Sequence, residues 1–190
     1  MADLALARPL EPGEQLRDEP GPDTEHCLRL YAKLASGVTV VTTQGGGGPT
    51  GMTVSSLTSL SARPPLLLAC LRNGSRTLVE VRSQGVFAVN LLRENQRPRA
   101  ARFADPAASS AERFREVPLR SVLGAPVFGD ALGWSVCLVE DIRRYGDHSA
   151  VVGRVAAVQV ASGHPLLWHD RGFRSLSGAG EPTAREGAPR

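Results

Sequence analysis

The chain has few aromatic residues and almost no lysine. Phe, Trp and Tyr make up 5% of its 190 residues, whereas glycine occurs 20 times. This composition fits strands and tight turns better than a helix bundle. Lys33 is the only lysine, so arginine carries nearly all of the positive charge, and the net charge is +3. A charge of that size does not require a nucleic-acid partner, whereas arginine also suits a phosphorylated cofactor because its guanidinium pairs bidentately with phosphate.

Cysteine is scarce and long apolar runs are missing. Cys27, Cys70 and Cys137 are far apart and odd in number, and no pair has metal-ligand spacing. We interpret them as small hydrophobic residues in a reducing compartment. The longest apolar run, residues 64–71, is too short to span a bilayer, and the first residues lack the pattern of a secretory signal. We therefore expect a cytoplasmic protein without a metal site or a membrane partner.

Both ends of the chain lack sustained hydrophobic periodicity. Residues 1–22 are rich in Pro, Gly and Glu, and residues 177–190 have a similar composition. We predict a disordered N-terminal arm and a flexible C-terminal tail. Residues 23–176 are predicted to form one domain, because 42% of the chain is apolar and can supply a core of ordinary size.

Strand patterns dominate the predicted domain. The first predicted helix covers residues 23–37, with Cys27, Leu30, Tyr31 and Leu34 on one apolar face and Gly37 at its end. Two further helices are predicted at 76–83 and 95–104. Strands are predicted at residues 38–43, 51–61, 66–71, 86–92, 119–123, 132–144, 149–160 and 173–176.

None of the predicted strands ends in a GxGxxG motif, and the predicted strands and helices do not alternate regularly along the chain. Both features are needed for a doubly wound dinucleotide-binding sheet. The sequence instead predicts a mainly β protein, an antiparallel barrel with a few peripheral helices. If the protein uses NADH, we expect it to bind NADH without a Rossmann domain.

Three polar segments could carry chemistry, and each has an ordinary structural alternative. Residues 53–59 contain five hydroxyl side chains, which form either a ligand wall or a solvated edge strand. The segment NGSRT, residues 73–77, precedes a helix, where amides and hydroxyls form an anion site or a simple N-cap. In the turn at residues 145–149, His148 beside Asp147 either meets a ligand or is an ordinary polar residue.

Taken in order, these segments resemble the flavin reductase family of two-component monooxygenases. The resemblance covers residues 28–176, nearly all of the predicted domain. It rests on the motifs SGVTVVTT, GMTVSSLTSLSARPPLLLACL, NGSRT, FAVNLL, QRPRAARFA, GDHS and PLLWHDRGF. Each motif is short, and the order and spacing of the set make the resemblance specific.

The resemblance implies a homodimeric, FMN-binding split β-barrel of Greek-key type, with flavin near the subunit interface. It places His148 and Phe173 beside the nicotinamide. The residues that it assigns to flavin binding are Thr53, Val54, Ser55, Ser56, Arg72, Asn73, Ser75, Arg76, Thr77, Arg102 and Phe103.

The same resemblance implies NADH-dependent reduction of free FAD or FMN, with FAD slightly favoured and NADPH a poorer donor. Hydride transfer between stacked rings needs no catalytic side chain, so none is assigned. Reduced flavin would then leave for a partner monooxygenase of antibiotic-type or aromatic metabolism. The alternative is a flavin- or haem-binding split-barrel protein without turnover. Oxidases of pyridoxamine phosphate share this barrel, but GDHS and NGSRT favour the reductase.

Overall fold

Twelve strands and four α-helices form the part of the chain that the computed structural model describes, residues 21–176. The predicted tail, and the predicted arm apart from residues 21 and 22, lie outside the described residues. The helices are α1 Thr24–Ala32, α2 Arg76–Gln84, α3 Arg97–Ala104 and α4 Ser110–Phe114, with a 3-10 turn at Glu94–Gln96. The strands are β1 Ser36–Gly37, β2 Thr39–Gly45, β3 Gly48–Val54, β4 Leu57–Ala62, β5 Pro65–Arg72, β6 Val86–Leu91, β7 Leu119–Val122, β8 Ala125–Phe128, β9 Gly133–Tyr145, β10 His148–Val160, β11 Leu167–His169 and β12 Gly172–Arg174.

Seven of these strands form one antiparallel sheet in the order β3-β2-β6-β9-β10-β5-β4. Its two edge strands, β3 and β4, follow each other in the chain and are joined only by Ser55 and Ser56. The backbone N–H of Cys70 on β5 donates to the carbonyl oxygen of Ser56 at 3.0 Å. The sheet therefore curls until its edges approach, which confirms the predicted antiparallel split barrel.

The barrel interior is filled by side chains from almost every strand of the sheet. The fully or nearly buried members include Val41, Leu71, Phe87 and Val151. Helix α2 covers this core with Leu78 and Val81, and it ends at Gly85, whose φ of 66° suits a residue without a Cβ. Inward residues recur at every second position of these strands, as with Ala69 and Leu71 on β5 and with Phe87 and Val89 on β6.

A second core lies between the barrel and helices α3 and α4. Phe103 and Phe114 meet edge to face with their ring centroids 4.9 Å apart, and Phe128 lies 5.5 Å from Phe103. Arg99 on α3 forms a bidentate pair with Asp130, at 2.6 and 2.8 Å. The hydrogen bond from Arg99 lowers the pKa of the Asp130 carboxyl. These contacts hold α3 against α4, β8 and the connection from β8 to β9.

Two predicted elements differ in the structure. The first helix ends at Ala32 and not at Gly37, because Gly37 pairs with Leu167 in the small sheet β1-β11-β12. No residue of α1 is buried, so its apolar face does not face the core. The strand predicted at residues 51–61 is two strands, because the chain crosses from one sheet edge to the other at Ser55 and Ser56. In residues 21–176 no helix has the length and apolar character needed to cross a membrane.

Candidate functional site

A pocket of about 430 Å³, here called the edge pocket, opens where the two sheet edges meet. Its lining comes from β3 and the residues beside it, from α3, and from the β11–β12 hairpin. The lining residues are Val38, Thr53, Ser55, Ala101, Ala104, Asp105, Trp168 and Phe173. Most of the lining residues are apolar, and the two hydroxyl residues, Thr53 and Ser55, lie along one side. Such a pocket suits a planar apolar ring with a polar edge.

The walls of the edge pocket are held by contacts between distant segments. Thr53 Oγ1 donates to the carbonyl oxygen of Ala100 at 2.7 Å, which fixes β3 against α3. The rings of Trp168 and Phe173 meet edge to face at 5.1 Å, and Trp168 pairs with Ser36 across β1 and β11. The two aromatic side chains are therefore anchored by a hairpin that is itself attached to the start of β2.

A larger groove of about 660 Å³ continues from the edge pocket towards α1. Ser55 and Trp168 border both spaces, so the two form one connected cleft. Ser56 Oγ donates to the carbonyl oxygen of Cys70 at 3.0 Å, whereas Ser55 is exposed at the junction. The remaining lining residues of this α1 groove are Leu28, Tyr31, Ala32, Leu34, Ser36, Ser56 and Arg171.

Residues 72–77 join β5 to α2 and are here called the phosphate loop, after the ligand that the sequence predicted for them. Ser75 Oγ accepts a hydrogen bond from the backbone N–H of Leu78 at 3.2 Å, so the N-cap alternative is confirmed. Capping leaves the Ser75 hydroxyl proton free to donate, and the first amides of a helix have no intrahelical partner. Arg72 and Arg76 are exposed beside them. The loop therefore keeps donors and positive charge suited to a phosphate.

The His148 turn, residues 145–149, lies directly against the phosphate loop. His148 is paired with Arg72 across β10 and β5. Its Nδ1 lies 2.8 Å from Asp147 Oδ1, and its side chain is 43% exposed, which leaves the far edge of the imidazole accessible. The hydrogen bond to His148, together with its charge, lowers the pKa of Asp147. The carboxylate at position 147 therefore stays ionised at neutral pH and orients the ring.

A further cavity of about 420 Å³ adjoins the edge pocket through Asp105. Arg102 and Arg115 bring positive charge to this cavity, and Glu112 brings a carboxylate. The Nε of Arg102 is buried, and no partner for it lies within residues 21–176. An unpaired buried guanidinium nitrogen is costly, and the Nε of Arg113 is in the same state.

Three residues predicted to bind flavin lie in the core. Val54 is 4% exposed and packs inside the barrel, because the residue between Thr53 and Ser55 on a strand must point to the opposite face. Thr77 is 1% exposed, on the face of α2 that packs on the barrel. Phe103 is 1% exposed within the aromatic cluster of the second core. Their side chains do not reach the cleft.

The structure brings the other predicted residues to the cleft or its surroundings. Thr53, Ser55 and Phe173 line the edge pocket, Ser56 lines the α1 groove, and Arg102 lines the adjoining cavity. Arg72, Asn73, Ser75 and Arg76 form the phosphate loop beside His148. Sequence reasoning missed Ala101, Ala104, Asp105 and Trp168, although they lie in or directly after the motifs QRPRAARFA and PLLWHDRGF.

The curled antiparallel sheet, the mostly apolar pocket at its edge and the loop before α2 define a class of protein. It is a split-barrel protein. Comparison with known proteins identifies the family within that class. The model of the flavin reductase like domain matches residues 31–177.

Three relatives and one solved structure illustrate the similarity. A protein of Rhizobium meliloti named "Probable flavin reductase" is 38% identical over 161 residues, which are 83% of this chain but only 51% of that protein's length. The flavin reductase (NADH) of Kitasatospora aureofaciens is 41% identical over 71% of each chain. The reductase component of a 4-nitrophenol 4-monooxygenase/4-nitrocatechol 2-monooxygenase of Rhodococcus opacus is 36% identical, over 77% of this chain and 78% of the relative.

The solved structure is the NADH:FAD oxidoreductase SgcE6 of Streptomyces globisporus C-1027, in complex with NAD and FAD fragments. It superposes with a TM-score of 0.76 and 29% identity, covering 84% of this chain and 96% of the other. This chain belongs to the flavin reductase-like family and is an oxidoreductase.

Proposed function

We propose that this chain uses NADH to reduce free flavin and releases the reduced flavin to a separate monooxygenase. The observation that carries the proposal is the placement of three features around the end of one strand, β5. An apolar pocket with hydroxyls along one side, a loop with free donors and arginines, and an exposed histidine all lie around the end of β5 and the β3–β4 link. The pocket would take the flavin ring, the loop its phosphate, and the histidine the nicotinamide ring.

The residues present fit a flavin. Thr53 and Ser55 would face the polar edge of its ring system, with Ala101, Ala104 and Trp168 against its apolar surface. The phosphate loop and the Arg102 side chain, which lines the adjoining cavity, would hold phosphate. Bound nicotinamide and flavin supply the hydride donor and acceptor. The protein's contribution is to align the two rings and exclude water, which requires no nucleophilic side chain.

FAD is proposed as the preferred flavin and NADH as the donor. The cavity beyond Asp105 offers room for a group longer than a single phosphate, and its lining holds Arg102 and Arg115 beside Asp105 and Glu112. The similar Streptomyces globisporus protein is named an NADH:FAD oxidoreductase, and the Kitasatospora aureofaciens relative is named for NADH. Comparing the flavin-dependent rates with FAD and FMN, and with NADH and NADPH, tests both preferences.

The proposed activity is tested by mixing the purified protein with NADH and FAD and following absorbance at about 340 nm, the band of reduced nicotinamide. We expect NADH oxidation that depends on added flavin. Flavin binding without NADH oxidation would instead favour the alternative, a flavin-binding protein without turnover. The absence of both, with FAD and with FMN, would contradict the proposal.

Replacing His148 with alanine is expected to lower kcat/KM for NADH by about tenfold and to leave flavin affinity nearly unchanged. The reason is that the imidazole is exposed beside the phosphate loop but buries little surface. The melting temperature should hardly change, because a polar turn adds little to the core. Steady-state kinetics and a flavin titration measure both effects. An unchanged kcat/KM would show that His148 does not contact the nicotinamide.

A homodimer and a monooxygenase partner are also proposed. Leu28, Tyr31 and Leu34 of the α1 segment are between 50% and 64% exposed along the α1 groove, where a second copy would cover them. Light scattering at micromolar concentration tests for the dimer.

The Rhodococcus opacus relative is named a reductase component of a monooxygenase, which supports such a partner here. A cytoplasmic location is proposed because all three cysteines are free thiols.

A further inference from the structure

We infer that Asn73 is a positioning residue, which holds the His148 turn against the phosphate loop. The sequence predicted Asn73 as a flavin ligand. The inference rests on the proposed function, since it assigns to Asn73 the alignment of the nicotinamide side of the cleft with the flavin side. The carrying observation is that every hydrogen bond formed by Asn73 in the structure goes to residues that flank His148.

Three hydrogen bonds join Asn73 to the His148 turn. Its backbone N–H donates to the carbonyl oxygen of Asp147 at 2.9 Å, and its side-chain Nδ2 donates to the carbonyl oxygen of Gly146 at 3.0 Å. Its Oδ1 accepts from Ser149 Oγ at 2.7 Å. Both polar atoms of the side chain are therefore bonded to the turn. The partners lie before and after His148, so the turn is held on both sides of the imidazole.

The chemistry of the partners determines the orientation of the Asn73 amide. A carbonyl oxygen such as that of Gly146 can only accept, so it requires the NH2 group of the side chain. The Ser149 hydroxyl can donate, and it does so to the amide oxygen. Rotating the amide by a half-turn would place two oxygens against each other at Gly146. An aspartate at position 73 would create this same repulsion, while keeping the size of the side chain.

A further hydrogen bond joins the His148 turn to α2. Ser149 is 0% exposed, and its Oγ also accepts from Arg82 Nη2 at 3.2 Å. Arg82 lies in the last turn of α2, the helix that the phosphate loop starts. The turn is thus tied to both ends of the loop–helix unit. Because Asn73 is only partly buried and its partners Gly146 and Asp147 are exposed turn residues, loss of its bonds should move His148 without unfolding the barrel.

The test uses the isosteric variant Asn73→Asp, with Asn95→Asp as a matched control at an exposed position of the 3-10 turn. We expect KM for NADH to rise about tenfold in Asn73→Asp, with flavin Kd and melting temperature close to those of the wild type. Ser149→Ala, which removes the donor to Oδ1 and leaves Asn73 in place, should change KM in the same direction. The control should leave all three quantities unchanged.

A double variant distinguishes positioning from direct binding. If Asn73 acts through His148, Asn73→Asp combined with His148→Ala should be no worse for NADH than His148→Ala alone. Two results would overturn the inference. In one, flavin Kd rises in Asn73→Asp while KM for NADH does not, which makes Asn73 a flavin ligand. In the other, the effects of the two substitutions on kcat/KM multiply, which makes them independent.

Amide hydrogen exchange separates this inference from the proposed function. Measured without NADH or flavin, exchange across residues 145–149 should be faster in Asn73→Asp than in Asn95→Asp and the wild type. Unchanged exchange would show that Asn73 does not hold the turn. If the wild type fails to oxidise NADH but exchange responds as expected, the proposed function fails and the positioning of the turn by Asn73 stands.

Discussion

Tryptophan in place of Ala104 is expected to abolish flavin binding while the protein remains folded. Ala104 ends α3 with an exposed side chain that lines the edge pocket. An indole at this position would project into a cavity of about 430 Å³ and occupy the space proposed for the flavin ring. We expect flavin affinity to fall by at least about 100-fold, or about 2.7 kcal/mol. A fluorescence titration of flavin with the protein measures this loss directly.

Arg97→Trp is the matched control for this substitution. Arg97 is exposed at the start of the same helix and is not part of the edge-pocket lining, so the added indole should leave flavin affinity unchanged. Both variants should keep nearly the wild-type melting temperature, because each replaces an exposed side chain. Flavin binding that survives Ala104→Trp in a folded protein would place the flavin outside the edge pocket.

Replacing Asn90 with alanine is expected to reduce the free energy of unfolding by about 3–5 kcal/mol. Asn90 on β6 is 0% exposed. Its Nδ2 donates to the carbonyl oxygen of Val40 at 3.1 Å and to Thr42 Oγ1 at 3.0 Å, and its Oδ1 accepts from the backbone N–H of Phe128 at 2.7 Å. Alanine would take this acceptor from the buried N–H of Phe128 and this donor from the Val40 carbonyl, whereas Thr42 Oγ1 keeps its hydrogen bond to the carbonyl oxygen of Pro126. Each buried group left unpaired costs about 1–3 kcal/mol.

Urea denaturation of Asn90→Ala, compared with Asn95→Ala, measures this contribution. The exposed Asn95 should change the free energy of unfolding by no more than about 0.5 kcal/mol. If Asn90→Ala changes it equally little, water must replace the amide, and the link from β6 to β2 and β8 is not a source of stability.

Local patterns in the sequence predicted most of the secondary structure. The N-cap Ser75, the C-cap Gly85 and the short apolar runs of β5 and β6 all depend on residues within a few positions of one another. The paired strands β9 and β10 were also predicted, because each is long and apolar on one side. The short elements β1, β8, β11 and α4 were missed, since two to five residues carry too little periodicity to be recognised.

The two wrong element predictions have a common cause. The periodicity of Leu30, Tyr31 and Leu34 indicates an amphipathic helix, but it does not show what lies against the apolar face. In the same way, the residues 51–61 all favour a strand, and nothing local indicates that the chain changes sheet edges at Ser55. Propensity describes a segment alone, whereas its packing partner comes from elsewhere in the chain.

The sequence by itself determined that this protein is mainly β, has no Rossmann motif and carries a set of motifs typical of flavin reductases. It also located the hydroxyl-rich strand, the phosphate loop and the His148 turn. Only the tertiary structure decided which of the predicted flavin-binding side chains reach the cleft. Ser55 does, whereas Val54 and Phe103 lie in the core. The reason is that the deciding contacts are distant in sequence. Thr53 meets Ala100 across 47 positions, and Asn73 meets Gly146 across 73, so no local pattern encodes them.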